Sequence, residues 1–405
     1  MERLNPRIGL LGPFVSRNLG DTAIQAAMIA NIRARVPGAQ IIGICTEPRD
    51  TERTHGIPAV PFTWETSDGQ SGLLRWLPWR LRELVQRVIQ LRRIYACLGD
   101  LDLLIISGGG QLDEFWGGPW RQPYLLYAWT RLARWRRVPS AAFGLGWDYV
   151  VSKTARWFCV RAMRNVQFRF FRDEGTLHCL RAAGFSGDAL VGPDPAFAIR
   201  AGEIASVTAR TSPRRFIVVS PIAENAVPPE FRPGHAAHLQ ELGRACREWL
   251  DSGFEIRFVC SQPAMDLPWV AALTDHLPSA QRDRLWTVIP GAGVQEYLRE
   301  VQGATFVVAA RLHGLILAIS AGAPVIGITY SRKIGQLLRD CGLESFAVSP
   351  EAASAAVLTQ TARNLMDNEA ALRHTIRTYV ERAQGELAVA FTSLLQLLER
   401  PAGQQ

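Results

Sequence analysis

Short apolar runs and amphipathic segments alternate along the whole sequence. The runs rich in Val, Ile and Leu predict buried strands at 8–11, 39–44, 101–106, 140–143, 166–171, 216–220, 255–260, 286–289, 305–308 and 324–328. The segments with helical spacing predict helices at 21–35, 73–98, 124–137, 153–163, 174–183, 235–250, 267–276, 294–301 and 315–321. Only 46–72, rich in Pro, Thr, Asp and Gly, is expected to form a long loop. This alternation is typical of a parallel, doubly wound sheet.

The domain organisation follows from the length and from one break in the pattern. A chain of 405 residues is too long for one ordinary core, so we expect two domains. The best linker candidate is 201–213, which gives a domain at 1–205 and a second at 206–350. The segment 351–405 lacks strand signals and is expected to be helical, with a return to the first domain as one option. The predicted fold class is α/β with two Rossmann-like domains.

The net charge of +8 comes mostly from arginine. It favours an anionic substrate, a phosphorylated small molecule or an anionic membrane surface, and it does not choose among them. The seven cysteines are scattered without a CxxC pair, which indicates reduced thiols. With no signal peptide and no bilayer-spanning run recognised, we expect a cytoplasmic protein, with a peripheral place at the inner face of the membrane as an extension.

One segment is relevant to a peripheral place at the membrane. Residues 73–98 combine six arginines with apolar residues at helical spacing and carry Trp76 and Trp79 near the start. Such a helix can lie on an anionic membrane. It can equally be a surface helix whose apolar side faces the core and whose arginines face solvent, and this second interpretation is the one we favour.

The strongest candidate for chemistry is the run Arg311-Leu312-His313-Gly314. It follows a predicted strand and precedes a predicted helix, and ligands bind at that edge of parallel sheets. A helix N-terminus offers free N–H groups and partial positive charge, which suit an anion. Lys333 follows the next strand at the same edge. The alternative is an interdomain salt bridge of Arg311 beside a half-buried imidazole.

Two further loops remain open from their residues alone. Asn18-Leu19-Gly20-Asp21 is either a capped helix start or a substrate-binding loop. Gly108-Gly109-Gly110 allows close approach of a ligand to the backbone, although a tight turn is the commoner reason for such a run, and neither a Walker loop nor GxGxxG is present. His235 and His238 lack an evident third ligand, so no metal site is predicted. A GxSxG elbow is absent as well.

Taken together, several motifs resemble the polysaccharide pyruvyl transferase family. They are Asn18-Leu19-Gly20-Asp21-Thr22-Ala23-Ile24, Gly108-Gly109-Gly110, Arg172-Asp173-Glu174, Asp194-Pro195-Ala196-Phe197, and Arg311-Leu312-His313-Gly314 with Tyr330 and Lys333. The resemblance implies a fold similar to two-domain GT-B glycosyltransferases with the active site in the interdomain cleft. It implies transfer of pyruvate from phosphoenolpyruvate (PEP) onto two hydroxyls of a sugar, forming a ketal and releasing phosphate.

The resemblance also implies roles for particular residues. His313 is expected to transfer protons, and Asp21 to orient or deprotonate an acceptor hydroxyl. The substrate-binding residues are expected to be Asn18, Gly20, Gly109, Gly110, Arg172, Arg311 and Lys333. Apart from PEP as donor, no cofactor is implied. The acceptor is a free glycan, a nucleotide-linked sugar or a lipid-linked sugar, and no nucleic-acid partner is expected.

Two other functions stay open at this point. One is a GT-B glycosyltransferase that uses a nucleotide sugar, because a fold does not determine a function. The other is a protein that binds a phosphorylated ligand without catalysis. Peripheral contact of 73–98 with an anionic membrane is compatible with either of them and with the transferase.

Overall fold

The structure is a computed structural model that describes residues 5–13, 18–64, 79–115, 117–199, 214–224, 227, 229–274, 279–288 and 293–399. Several sequence predictions lie outside these residues. They are the linker at 201–213, the start of the basic segment at 73–78 with Trp76, and Trp116.

The first half of the chain alternates strands and helices. In order they are β1 (Arg7–Leu11), α1 (Leu19–Arg35), β2 (Gln40–Cys45), α2 (Pro48–His55), β3 (Ala59–Pro61), α3 (Trp79–Leu98), β4 (Leu103–Leu112), α4 (Gln122–Arg136), β5 (Ser140–Trp147), α5 (Lys153–Asn165), β6 (Phe168–Phe171), α6 (Glu174–Ala182) and β7 (Leu190–Val191). β1 to β7 form one sheet in the order β3-β2-β1-β4-β5-β6-β7, and every strand pair is parallel.

The second half repeats the pattern. It contains β8 (Phe216–Ser220), α7 (Arg232–Asp251), β9 (Glu255–Val259), α8 (Pro263–Thr274), α9 (Ser279–Arg282), β10 (Leu285–Val288), α10 (Val294–Val301), β11 (Phe306–Ala309), α11 (Leu312–Ser320), β12 (Val325–Ile328), α12 (Arg332–Asp340), β13 (Ala347–Val348), α13 (Ala355–Asp367) and α14 (Glu369–Leu395). Its sheet is also parallel, in the order β10-β9-β8-β11-β12-β13.

Both sheets therefore have the strand order of a doubly wound fold. The order reverses between β1 and β4 in the first sheet and between β8 and β11 in the second. At such a point the two loops that leave the carboxyl ends diverge and open a crevice for a ligand. Arg311 follows β11 and His313 lies in the first turn of α11, so these two side chains lie at the reversal point of the second sheet.

The chain forms two compact units. The first comprises the described residues of Met1–Ser16, Ile24–Ala198 and Glu386–Gln405, and the second those of Arg17–Ala23 and Ile199–Gly385. Within the first unit, Phe391 of α14 packs on Phe143 of β5 with ring centroids 4.5 Å apart. In the second unit, residues 18–23 belong together with the β8–β13 sheet. The domain limits 1–205 and 206–350 stay predictions.

Burial on both faces explains the strand sequences. β4 and β5 are buried along almost their whole length, and so are β8, β11 and β12. Strands covered by helices on both sides need near-continuous apolar runs, which is the pattern that predicted them. The predicted two-domain α/β fold class is confirmed by these two parallel sheets.

Two local predictions are wrong. The expected loop at 46–72 contains α2 and β3. They escaped notice because α2 has almost no apolar residues, Thr51 being the one that is buried, and because β3 is only three residues long. The glycines at 108–110 lie inside β4, not in a turn after it. Gly109 has φ 85°, a backbone conformation that a residue with a Cβ rarely adopts. The register shifts between Gly109 and Leu112, so the strand continues through a local irregularity.

Candidate active site

Asn18 builds the start of α1 with both ends of its side chain. Its Oδ1 accepts a hydrogen bond from the Gly20 N–H at 3.1 Å, and its Nδ2 donates to Asp21 Oδ2 at 2.7 Å. Its carbonyl accepts from the N–H of Thr22 at 3.0 Å. The helix-capping role and the positioning of Asp21 therefore coexist in one side chain, and Asp21 is held at the positive end of a helix dipole.

Gly20 lies against the imidazole of His313. A Cβ built on Gly20 would fall 2.1 Å from His313 Nδ1 and 2.4 Å from Cγ, so only glycine permits this approach. Gly20 has no left-handed φ, and the constraint is therefore steric contact and not backbone conformation. The two motifs, 293 residues apart in the sequence, meet inside the second unit.

Arg311 forms a buried ion pair. Its Nη2 donates to Asp266 Oδ1 at 2.6 Å, and its side chain is 14% exposed while that of Asp266 is 0% exposed. Asp266 Oδ2 in turn accepts from the Gln262 N–H at 2.8 Å. The ion pair fixes the orientation of the guanidinium before any anion binds. Binding an anion to the remaining N–H groups would therefore cost little further conformational entropy of the side chain. The salt bridge therefore lies within the second unit.

Two helix N-termini follow neighbouring strands at this edge. α11 begins after β11 with Arg311 as N-cap, and α12 begins after β12 with Ser331 as N-cap, and neither cap side chain bonds the helix. Lys333 lies in the first turn of α12 and is partly buried. The positive ends of these two helix dipoles thus lie at the same edge of the sheet as Arg311 and Lys333, an arrangement that favours binding of an anion.

A second layer of side chains holds the backbone of α11. The hydroxyl of Tyr297, which is fully buried, donates to the Gly314 carbonyl at 2.9 Å. Ser220 Oγ bonds Ser261 Oγ at 3.3 Å, and the Ser261 carbonyl accepts from the Leu19 N–H at 3.3 Å. Sequence analysis missed these residues and Asp266, because their roles depend on contacts between distant parts of the chain.

Arg172 occupies a different environment, in the first unit. Its guanidinium is ringed by three carboxylates: Asp194 at 3.2 Å, Asp148 at 3.7 Å and Asp173 at 3.7 Å. The arginine side chain is 5% exposed and touches Gly146, where a Cβ would fall 2.4 Å from Nε. The formal charge of the group is negative, so its geometry favours support of acidic side chains over capture of an anion. Binding of substrate by Arg172 stays a prediction.

The glycines of β4 make room for the same acidic group. A Cβ on Gly110 would fall 1.6 Å from Asp148 Oδ2, and a Cβ on Gly108 would fall 2.9 Å from the side chain of Ile24. Asp148 is about one third exposed, whereas Asp194 is buried. Gly109 and Gly110 thus serve strand irregularity and side-chain packing in the first unit, and their contact with substrate stays a prediction.

The pair His235 and His238 lies on α7 beneath the turn that carries Tyr330. The Tyr330 ring packs 5.6 Å from the His238 ring and 6.1 Å from the His235 ring, and all three side chains are buried. His235 Nε2 bonds the Ile222 carbonyl at 2.9 Å, and His238 bonds the backbone of Ala353. Among the described residues, no group of three His, Cys, Asp or Glu is arranged to hold a metal ion.

These histidines make stability depend on pH. Burial and the neighbouring His235 lower the pKa of His238 to about 4, and burial lowers the pKa of His235 as well. Between pH about 6.5 and about 4 the unfolded chain therefore binds protons that the folded chain does not, and the free energy of unfolding falls as the pH falls. For His238 the expected loss is about 3 kcal/mol by the acid end of this window.

Urea unfolding across that pH window tests the expectation. His238→Gln should remove part of the acid destabilisation, because a neutral amide has no proton to gain. His374→Gln is the matched control, since His374 is exposed on α14. An equal pH dependence in the His238 variant and the wild type would show that other groups cause the acid destabilisation.

The predicted site residues thus divide into two sets. The second unit contains Asn18, Gly20, Asp21, Arg311, His313 and Lys333, and the contacts above join Asn18, Gly20, Asp21 and His313 directly. The first unit contains Gly109, Gly110 and Arg172, of which Gly110 and Arg172 both contact Asp148. Arg311 and Lys333 follow strands of the second sheet, whereas Gly109 and Gly110 lie in the second half of β4 and Arg172 directly follows β6, both in the first sheet.

Solved structures show which class of protein has this architecture. MnaA of S. aureus in a co-structure with UDP has a TM-score of 0.59 at 12% identity, covering 97% of this chain and 96% of that chain. A protein assigned as a UDP-N-acetylglucosamine 2-epimerase from Listeria monocytogenes has a TM-score of 0.64 at 12% identity, covering 98% of both chains. A glycosyltransferase from Rickettsia africae has a TM-score of 0.56 at 12% identity, covering 97% of this chain and 99% of that chain. At such identities the likeness shows the fold alone, and the fold is GT-B-like.

The sequence model of polysaccharide pyruvyl transferase matches residues 18–332, which is 315 of the 405 residues. The chain belongs to the polysaccharide pyruvyl transferase family and is an enzyme of that type. The match begins at Asn18 and ends at Arg332, so it includes the Asn18–Asp21 and Arg311–Gly314 motifs and stops one residue before Lys333. The search of curated proteins found no match.

None of the helices within the described ranges combines the length and the apolar character that crossing a bilayer requires.

Proposed function

We propose that this enzyme transfers pyruvate from PEP onto two hydroxyls of a sugar, forming a ketal and releasing phosphate. The observation that carries the proposal is the contact between Gly20 and His313, because it joins the Asn18–Asp21 motif to the Arg311–Gly314 motif in one unit. The same place offers a titratable imidazole, a fixed arginine and two helix N-termini, which together match the needs of a phosphorylated carboxylic acid.

PEP carries a phosphate and a carboxylate, and the second unit supplies cationic groups for both. Arg311, oriented by Asp266, offers paired N–H donors to one planar anionic group. Lys333, in the first turn of α12, supplies a compact charge beside backbone N–H groups. We assign these two residues to the donor, and this assignment explains why both follow strands of the same sheet.

The chemistry needs one proton at carbon and the removal of two from hydroxyls. Protonation of the PEP methylene at C3 gives a methyl group and makes C2 electrophilic, and a first sugar hydroxyl adds to C2. The second hydroxyl then attacks C2, the C2–O bond to phosphate breaks, and phosphate leaves with the electron pair. PEP and the diol thus become the ketal and inorganic phosphate. The two acceptor hydroxyls lose two protons, of which one balances the proton added at C3 and the other leaves with phosphate.

His313 is the residue we assign to these proton transfers. Histidine's ordinary pKa of roughly 6.5 suits a group that both gives and takes a proton near neutral pH. Asp21, held by Asn18 Nδ2, is assigned to orient or deprotonate an acceptor hydroxyl. Asn18 therefore acts by positioning Asp21 and by capping α1 through the Gly20 N–H.

The test is acceptor-dependent phosphate release. Purified protein is incubated with PEP and with free, nucleotide-linked or lipid-linked sugars, and inorganic phosphate and product mass are measured. The proposal expects phosphate release only with an acceptor, and a product heavier by one pyruvate ketal. If PEP neither raises the melting temperature nor turns over, while a nucleotide sugar raises it, the proposal is wrong and the glycosyltransferase alternative takes its place.

A further inference from the structure

Three neighbouring helices of the first unit carry a high net positive charge. α3 contains five arginines, α4 three, and α5 three arginines and one lysine, whereas the single acidic residue among them is Glu83. Their net charge is therefore +11, more than the +8 of the whole chain, so the remaining residues are net acidic. α4 packs against both α3 and α5, so the three helices lie side by side. Their exposed arginines include Arg92, Arg93, Arg131, Arg134, Arg156, Arg161 and Arg164.

The same face exposes large apolar side chains. Leu81, Leu84 and Val88 of α3 are 43%, 57% and 48% exposed, although such residues are normally buried. They recur at i, i+3 and i+7, so they share one side of the helix. A different side of the helix, with the buried Ile94 and Leu98, packs against the core. α3 thus has an apolar side toward solvent in addition to the one that the core requires.

Aromatic rings extend the apolar surface from α3 to α5. Trp120, which is half exposed just before α4, lies under the Arg87 guanidinium at 4.6 Å and packs on Phe158 at 5.2 Å. Phe158 contacts Trp157 at 5.2 Å, and Trp157 is 48% exposed. Tryptophan and arginine side by side at a surface are typical of the interfacial region of a bilayer, where the ring is partly apolar and the cation meets phosphate.

We propose that the outer face of α3, α4 and α5 binds the surface of an anionic membrane. The charge selects an anionic partner, and the exposed Leu81, Leu84 and Val88 select one with an apolar interior into which short side chains can insert. A nucleic acid would match the arginines but would leave the aliphatic side chains in water. From sequence alone, membrane contact of 73–98 is the less favoured of two interpretations, the other being a surface helix with its arginines in solvent. The described part, 79–98, belongs to this face, and its exposed apolar side chains now favour membrane contact.

The inference rests on the proposed function in one respect. Sugar acceptors linked to a lipid are confined to a membrane surface, and an enzyme docked there would meet them by two-dimensional diffusion. Binding to vesicles is measured without PEP or acceptor, however, so failure of the membrane proposal and failure of the pyruvyl transfer proposal are separate results.

Vesicle co-sedimentation of the full chain provides the test. The wild type should bind vesicles of phosphatidylcholine mixed with phosphatidylglycerol, bind phosphatidylcholine alone much more weakly, and lose affinity as salt rises. Arg92→Gln with Arg93→Gln should weaken binding about tenfold at low salt, because both arginines are exposed on α3. Leu84→Gln with Val88→Gln should also weaken it about tenfold, at unchanged charge.

Matched controls lie on helices outside the proposed face. Arg363→Gln with Arg377→Gln makes the same change in charge at two exposed positions, and Val357→Gln with Val389→Gln makes the same change in polarity at two exposed positions. Both control pairs should bind as the wild type does. The melting temperature of each variant is compared with that of the wild type, and all substituted residues are at the surface, so each variant is expected to fold.

Three results would overturn the proposal. The first is absence of binding to phosphatidylglycerol vesicles at low salt. The second is an equal loss in the control pairs, which would mean that total charge or total apolar surface decides the binding. The third is vesicle binding unaffected by Leu84→Gln with Val88→Gln, together with tight binding of a labelled DNA duplex that the arginine pair weakens, which would assign the face to nucleic acid.

Discussion

Replacement of His313 with alanine should lower acceptor-dependent phosphate release roughly a hundredfold to ten-thousandfold, the range that a positioned general acid or base contributes. The reason is that PEP must gain a proton at C3 before a hydroxyl can add at C2, and we assign that proton to the imidazole. Alanine suits the first turn of α11, where His313 lies, so the helix should remain. The measurement is phosphate release at saturating PEP, alongside the melting temperature.

His374→Ala is the matched control, because it removes an exposed imidazole from α14. It should leave the rate unchanged. Binding of PEP to His313→Ala is followed by thermal shift, since Arg311 and Lys333 are still present to hold the donor. Full activity in His313→Ala, with PEP bound normally, would remove His313 from the proton-transfer role.

The architecture could be predicted from the sequence because strands buried in parallel sheets require apolar runs that are visible locally. Apolar runs followed by amphipathic helices predicted the strand-helix alternation of both units. The rule that ligands bind at the carboxyl edge identified Arg311 as a candidate, and the structure places it at the reversal point between β8 and β11. Elements whose stability comes from their neighbours were missed. β13, for example, has only two residues, and its pairing with β12 is what makes it a strand.

The electrostatic environment of the site residues could not be predicted in the same way. Asp266 lies 45 residues before Arg311 in the sequence, and no periodicity links them. The acidic ring around Arg172 draws on Asp148 and Asp194, which follow different strands. Sequence motifs identify which side chains stand at a sheet edge, but whether a cation there is compensated depends on tertiary contacts. That is why Arg311 and Arg172, alike in sequence, differ in the structure.

Gly20→Ala should lower the rate about a hundredfold or more while leaving the fold intact. The added methyl group would lie 2.1 Å from His313 Nδ1, so the imidazole must move away from α1. The backbone itself accepts alanine, because Gly20 is helical and has no left-handed φ. The change therefore displaces the imidazole to which we assign proton transfer without removing it, and the rate should fall with little change in melting temperature.

Gly385→Ala supplies the control for this substitution. Gly385 is also helical, and a Cβ there would meet nothing within 4 Å. The variant should be fully active and slightly more stable, by about 1 kcal/mol, because alanine favours the helix. Wild-type activity in Gly20→Ala would mean that the imidazole can move without lowering the rate. The contact between Gly20 and His313 would then be unimportant for catalysis.

The combination of both substitutions decides whether Gly20 acts through His313. If its only catalytic role is to let the imidazole approach, Gly20→Ala should change the single-turnover rate hardly at all in a chain that already carries His313→Ala, since alanine at 313 has no ring to displace. The two losses would then fail to multiply, as expected for residues in contact. A further large loss in the double variant would instead place the effect on Asn18 and Asp21, which share the first turn of α1 with Gly20. The cycle thus separates the imidazole contact from the carboxylate of Asp21, the two groups that the proposed mechanism assigns to proton transfer and to the acceptor.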